Sequence, residues 1–393
     1  MTSPNHHVSQ TIANVELSAI KEMAMRGAKV TDAASLTWGV PSFRTPQHIR
    51  DAAIAALEGD EDVGKYALPN GLPELRELVV RVHRDKTGVD ADAERNVLIT
   101  AGNMQGMNST LRALLEPGDE VIVTDPGFAS HIQQIRMCGG VPVPWPLDED
   151  HGWRLQTDLV EDLVTPRTRA VVLVTPSNPT GAIFSKADLQ RLGEIVHKRQ
   201  LILLIDDPYS EIIYESSGSF YNLAKEVGLA DRLVYMFTFS KIHAMSGWRL
   251  GYMIVPDWLR QEVLKVHDAT LICAPRISQA AGMAALRGSD DHIREFRAVL
   301  ARRRALICER LNRVDHVFSY IKPEGAYYVF PRILVEHESS RAFAIRLLYD
   351  ARVTVTPGSA FGPSGEHHVR MAYCVEDDVI NKAFDRIERY FAA

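Results

Sequence analysis

The stretch Phe237-Thr238-Phe239-Ser240-Lys241-Ile242-His243-Ala244-Met245-Ser246-Gly247-Trp248-Arg249-Leu250-Gly251-Tyr252 decides how this chain is read. A solvated surface lysine has polar neighbours, whereas Lys241 sits in an apolar run punctuated by glycines. An amine condenses with an aldehyde only when it is neutral, and burial or a nearby cation is the usual means of making it so. Arg249, eight residues on, supplies a fixed cation whose fork suits a phosphate. The hydroxyls of Thr238 and Ser240 can reach the same phosphate. Together these are the parts of a lysine bound covalently to pyridoxal phosphate (PLP).

The rest of the composition sets bounds on that reading. The chain has 393 residues, enough for a large domain with a smaller one attached. Its net charge of −6 offers no basic footprint for nucleic acid or anionic lipid. No apolar run is long enough to span a bilayer. Cys138, Cys273, Cys308 and Cys374 are far apart and form no C-x-x-C pair, which points to a reducing compartment. The start, MTSPNHHVSQ, lacks the charged-then-apolar layout of a signal peptide, so the expected location is the cytoplasm. His6 and His7 stand in a polar terminus and read as unstructured residues, not metal ligands. No G-x-G-x-x-G follows a strand, which argues against a nicotinamide dehydrogenase.

From about residue 95 to 255, short apolar runs alternate with helical patterns. Strands are expected at 97–100, 120–124, 170–175, 201–205, 233–237 and 250–255. Between two of them, 185–199 reads as a helix opened by Ser185, with Leu189, Leu192, Ile195 and Val196 on one face. This alternation predicts a largely parallel sheet covered by helices, with ligands beyond the carboxyl ends of its strands. A helix over 10–30 and, near the C-terminus, helices at 290–312, 340–351 and from 377, with a strand at 325–330, predict a small α+β unit made from both ends of the chain.

Three motifs follow expected strands. Gly102-Asn103 opens a helix after Thr100, and a helix N-terminus entered through glycine suits an anion. Asn178-Pro179-Thr180-Gly181 is a sharp turn after 170–175. Asp206-Asp207-Pro208-Tyr209 ends the strand 201–205, where a carboxylate facing a pyridine nitrogen keeps it protonated and makes the ring an electron sink.

These motifs, in this order and with the Lys241 run, closely resemble the class I/II aminotransferases, the fold-type I PLP enzymes. The resemblance extends from about residue 10 to the end. It implies a fold-type I α/β architecture: a large, mainly parallel, seven-stranded domain at 45–285. An N-terminal arm (1–44) and a C-terminal segment (286–393) would form the small domain. It implies that Lys241 holds PLP as an internal aldimine and afterwards serves as the base at the substrate Cα. Gly102, Asn103, Thr238, Ser240 and Arg249 would hold the phosphate, and Phe128, in Asp125-Pro126-Gly127-Phe128, would stack on the ring. Asn178 and Tyr209 would bond the cofactor 3′-oxygen. Asp206, with Asp207 as rival, would face the ring nitrogen. Arg370, in His368-Val369-Arg370-Met371-Ala372-Tyr373, and Gly39 would receive the substrate carboxylate, with Asn178 also facing the substrate. Tyr66 would reach the phosphate of a neighbouring subunit, which implies a homodimer with shared active sites.

Arg276, and after it Arg44, are candidates to meet an acidic substrate side chain. The implied reaction moves an amino group from an L-amino acid to a 2-oxo acid. β-Elimination by a C–S lyase, racemisation and an oxidative variant are the alternatives on the same scaffold. A PLP-binding sensor is disfavoured, for there is no basic helix to bind DNA.

Overall fold

The computed structural model describes residues 8–13, 15–214 and 220–392, so His6 and His7 lie outside the described residues. Its centre is one eight-stranded sheet. The strands are β1 (Val97–Thr100), β2 (Glu120–Asp125), β3 (Val141–Asp148), β4 (Arg154–Leu155), β5 (Thr168–Val174), β6 (Ile202–Asp207), β7 (Leu233–Thr238) and β8 (Gly251–Ile254). Their order across the sheet is β1-β8-β7-β6-β5-β2-β3-β4. The contacts β7-β6-β5-β2-β3 are all parallel, and β8 runs against both β1 and β7.

Seven strands were expected and eight are present, the eighth being the two-residue β4 at the edge. The six strands read from apolar runs are all found, shifted by one or two residues at some ends. Besides β4, the strand not read from an apolar run is β3, Val-Pro-Val-Pro-Trp-Pro-Leu-Asp, whose prolines argue against a sheet interior. Pro142, Pro144 and Pro146 alternate, so the three missing N–H groups fall on one edge. Val141 donates to the Asp119 carbonyl on the β2 side at 2.8 Å, which places the proline edge on the opposite side. There only β4 pairs, at Leu147 and Asp148.

Because side chains alternate along a strand, the sheet divides the interior into two clusters. Leu98, Val121, Val123, Val172, Leu204, Val234, Met236 and Met253 face the helices Asn103–Leu114 and Asp257–Leu271. Ile99, Ile122, Val171, Leu173, Leu203, Ile205 and Phe237 belong to the larger cluster on the other side. There the helix Lys186–Lys198 buries Leu189, Leu192, Ile195 and Val196, with Ser185 Oγ accepting from the Asp188 N–H at 3.1 Å.

Both ends of the chain meet away from this sheet. Ala34–Ser35 pairs with Val353–Thr354, while Tyr328–Val329, Val369–Ala372 and Thr356–Pro357 form a small sheet. The helices Asp291–Asn312, Ser340–Ala351 and Asp377–Phe391 pack with them. The helix expected over 10–30 is two pieces, Gln10–Ala13 and Ala19–Gly27. Ser18 stands before the second piece, a residue type that competes with the helix for its own backbone bonds. Among the described residues no helix is long and apolar enough to cross a membrane.

Candidate active site

A cavity of about 290 Å³ opens at the carboxyl ends of the parallel strands. Gly39, Asn103, Phe128, Asn178, Asp206, Tyr209, Thr238, Ser240, Lys241, Arg249 and Arg370 all line it. β6 carries Asp206 at its own end, and β1, β2, β5 and β7 deliver Asn103, Phe128, Asn178 and Lys241 from the segments that follow them. Gly39 and Arg370 enter from the segments contributed by the two ends of the chain.

At one end Gly102, at φ +85°, precedes the helix Asn103–Leu114 and has no side chain to cap it. A Cβ there would lie 2.8 Å from Arg249 Nη2. Arg249 is itself braced by the carbonyls of Ser246 (2.7 Å) and Ala101 (3.1 Å). Thr238 Oγ1 donates to Ser240 Oγ at 2.9 Å beside it. A helix start, two hydroxyls and a guanidinium form a cradle of the kind that takes a phosphate.

Asp206 is buried, with Asn103 Nδ2 donating to its Oδ1 at 2.6 Å. His131 Nε2 lies 3.1 Å from Oδ2, although its alignment is not that of a hydrogen bond. Asp207 points away from the cavity, as the next residue on a strand must. Its carboxylate takes the Tyr235 hydroxyl at 2.5 Å and the Ser210 N–H at 2.9 Å, and burial raises its pKa.

The Lys241 amine donates to the Gly39 carbonyl at 2.7 Å. Burial pushes its pKa down to about 8; the cations Arg370 and Arg249 push the same way, and Asp206 opposes them. Arg370 is 1% exposed, and its Nη1 and Nη2 donate to Asn178 Oδ1 (3.0 Å) and the Thr37 carbonyl (2.7 Å). Its Nε has no partner, and among the described residues no carboxylate pairs with it. A buried guanidinium in that state is costly unless an anion joins it. The Tyr328 ring lies 4.4 Å from the guanidinium, and its hydroxyl is 2.9 Å from that of Tyr209.

The residues present therefore fit PLP: a neutralisable amine, a phosphate cradle, a buried carboxylate, a flat aromatic at Phe128 and an unpaired buried guanidinium. Tyr66 is 75% exposed and does not line the cavity. Arg276 forks onto Asp60, Nε to Oδ2 at 2.9 Å, and Arg44 lines a different cleft, so this chain brings neither arginine to its own site. The sequence reading missed His131, Tyr328 and Thr37. His131 was within reach, three residues after Phe128 on the same helical turn, with the two rings 5.0 Å apart. Tyr328 and Thr37 come from distant segments that only the fold joins.

The fold is that of the fold-type I aminotransferases, and the chain belongs to the class I and II aminotransferases, whose family profile matches residues 31–387. It is an aminotransferase, in a class that depends on PLP. It is 35% identical to the aromatic-amino-acid aminotransferase 2 of Thermococcus litoralis, over 97% of each chain. It is 34% identical to the aspartate aminotransferase of Pyrococcus abyssi, again over 97% of each. A single mutant of the Thermus thermophilus aspartate aminotransferase superposes with a TM-score of 0.91 at 30% identity, covering 98% of this chain and 99% of that one.

Proposed function

We propose that this enzyme carries PLP on Lys241 and moves the amino group of an L-amino acid to a 2-oxo acid. The observation that carries the reading is that Lys241, Asp206 and the carboxylate-free Arg370 line one cavity. Gly102, Asn103, Thr238, Ser240 and Arg249 would hold the phosphate, and Phe128 would cover the ring. Asn178 and Tyr209 would bond the 3′-oxygen, and Asp206 would face the ring nitrogen. When bound, the cofactor supplies an electron sink for negative charge at the substrate Cα.

The protein's own part is binding, orientation and proton transfer. Arg370, held by Asn178 and Thr37 and paired with no carboxylate among the described residues, would take the substrate carboxylate and so fix which Cα bond faces Lys241. With its pKa lowered to about 8, Lys241 Nζ is neutral often enough near neutral pH to take the proton from the substrate Cα, and would hand it to the cofactor carbon that keeps the amino group. Asp206, anchored by Asn103, presents its carboxyl group to the cavity at the end of β6.

We further infer that residues 1–44 and 286–393 work as one unit against 45–285, since Gly39 and Arg370 come from the first and Lys241 from the second. The exposure of Tyr66 supports a homodimer in which it completes the partner's site. The four cysteines are all free, which supports a cytoplasmic location.

The test is the visible spectrum of the PLP-loaded protein, recorded with amino acids added one at a time. Aromatic amino acids and aspartate, the substrates in the relatives' names, head the panel. A yellow band that one amino acid bleaches, with its 2-oxo acid released, is expected. Ammonia and pyruvate as products would indicate elimination instead, and no band after PLP is supplied would overturn the assignment of Lys241.

A further inference from the structure

His243 lies two residues beyond Lys241, buried beneath the same turn, and has no part in the site above. Its Nδ1 is 3.0 Å from Nε2 of His292, in the first turn of the helix Asp291–Asn312. A second contact fixes the direction of that bond. His292 Nδ1 is 3.1 Å from the Ser289 carbonyl, and a carbonyl only accepts. A neutral imidazole has one N–H, so His292 gives its own to Ser289 and presents Nε2 as an acceptor. His243 Nδ1 is therefore the donor. Burial lowers the basicity of both rings, in keeping with two neutral imidazoles.

The same helix also holds the other partner of the lysine. One turn on from His292, Phe296 stacks on Phe43 with ring centroids 4.0 Å apart and planes 9° apart. Phe43 is four residues from Gly39, whose carbonyl accepts from Lys241 Nζ. So the turn carrying Lys241 and the loop carrying its acceptor are both referenced to residues 292–296. The far end of the turn is pinned separately, by Thr45 Oγ1 on the Ala244 carbonyl (2.6 Å) and Ser278 Oγ on the Trp248 carbonyl (2.7 Å). Two apolar rings would pack here as well as two imidazoles do. A directed hydrogen bond is what the histidines add.

Resting on the reading of Lys241 above, we propose that the His243–His292 pair positions the catalytic lysine, setting where Nζ stands in the cavity. His243 and His292 are positioning residues and touch no substrate.

The test compares His243→Phe and His292→Phe, which keep a ring and remove the bond, with His292→Gln, whose amide oxygen can still accept. Three readouts are taken: Tm, kcat and KM of the PLP-loaded enzyme, and the rate at which cyanate modifies Lys241 in the apo protein at pH 8. The phenylalanine variants are expected to keep Tm within a few degrees and lose about 10-fold in kcat with little change in KM, as a small misplacement of a reacting group does. They should also change the cyanate rate, and His292→Gln should restore both. Wild-type kcat and cyanate rate in the phenylalanine variants would overturn the proposal, as would an equal loss in His292→Gln. If a phenylalanine variant does not fold, His292→Met replaces it. A wild type without aminotransferase activity would instead sink the functional reading, while the cyanate rate would still test the pair.

Discussion

Asn103 and Asp206 are joined by a 2.6 Å hydrogen bond although β1 and β6, whose ends carry them, are separated in the sheet by β8 and β7. The bond crosses that gap because Gly251, the first residue of β8, has no side chain. A Cβ there would lie 2.9 Å from Asn103 Oδ1. The Asp206 carboxylate is thereby held at one position by a neutral amide, and it faces the same cavity as Lys241.

Removing the charge while keeping the shape is the direct test of that carboxylate. Asp206→Asn is expected to lower kcat about 10²–10³-fold at saturating PLP, the scale of one well-placed electrostatic group. Asn103→Ala, which frees the carboxylate without discharging it, should cost less, about 10-fold. Steady-state kinetics of the two variants decide the matter. An Asp206→Asn enzyme within 2-fold of wild type would remove Asp206 from the chemistry.

The lysine gives a pH expectation. An ordinary lysine holds its proton to about pH 10.4, whereas burial brings Lys241 to about 8. In the apo protein the fraction of neutral amine, and with it the rate of cyanate modification at Lys241, should rise through a midpoint near pH 8. Peptide mapping against a surface lysine such as Lys29 in the same sample supplies the reference. A Lys241 profile that tracks Lys29 up to pH 10 would show that the amine is not desolvated. Lys241→Ala should abolish turnover altogether.

Much of this site was legible because strand ends carry it. Each buried parallel strand reads as an apolar run, and each of Asn103, Phe128, Asn178, Asp206 and Lys241 follows one within a few residues. That Asp206 and not Asp207 faces the cavity follows from the alternating faces of β6, which ends at Asp207. β3 was illegible because three prolines imitate a loop; only the pairing of a single edge makes them tolerable. Tyr328 and Thr37 were illegible for a different reason, since nothing near them in sequence marks a site until the two ends of the chain meet. Arg276 looked available and is taken by Asp60, a partner 216 residues away.

Arg370 should respond to a change of shape as well as of charge. Arg370→Lys keeps a cation but cannot donate at once to Asn178, the Thr37 carbonyl and a substrate carboxylate. KM for the amino donor is expected to rise by about 10–100-fold, the equivalent of one or two charge-assisted hydrogen bonds. Titration of the visible band with amino acid measures it. Unchanged affinity would place the carboxylate elsewhere.

A tie between the two parts of the chain sets an acid limit on stability. Glu149, in the turn between β3 and β4, accepts from His368 Nε2 at 2.9 Å and is paired with Arg332. Burial would raise its carboxyl, but these two partners bring it down to about 2. A carboxylate whose folded pKa lies below its unfolded one contributes stability above about pH 4.5, lost as pH falls towards 2. Glu149→Gln should therefore cost about 1–2 kcal/mol at pH 7, allowing for its partial exposure, and less, roughly half of that, at pH 3. Urea unfolding of both proteins at the two pH values checks the sign. A difference that is the same at both would show that the pair is not electrostatic.

Gly102 is the position where one added carbon should separate cofactor binding from folding. Its φ of +85° with ψ of 166° lies in a region that almost only glycine occupies, at a cost of about 1–3 kcal/mol for a residue with a Cβ. The same Cβ would meet Arg249 Nη2 at 2.8 Å and push the guanidinium out of the phosphate cradle. Gly102→Ala is therefore expected to lower Tm modestly and to weaken PLP binding well beyond that loss. Gly88→Ala provides the control: φ there is +74° and a Cβ would meet nothing within 4 Å, so only the backbone strain applies. PLP affinities from quenching of intrinsic fluorescence, set beside Tm for both variants, compare the two effects. If Gly102→Ala binds PLP as tightly as Gly88→Ala, the turn before the helix Asn103–Leu114 is not where the phosphate sits.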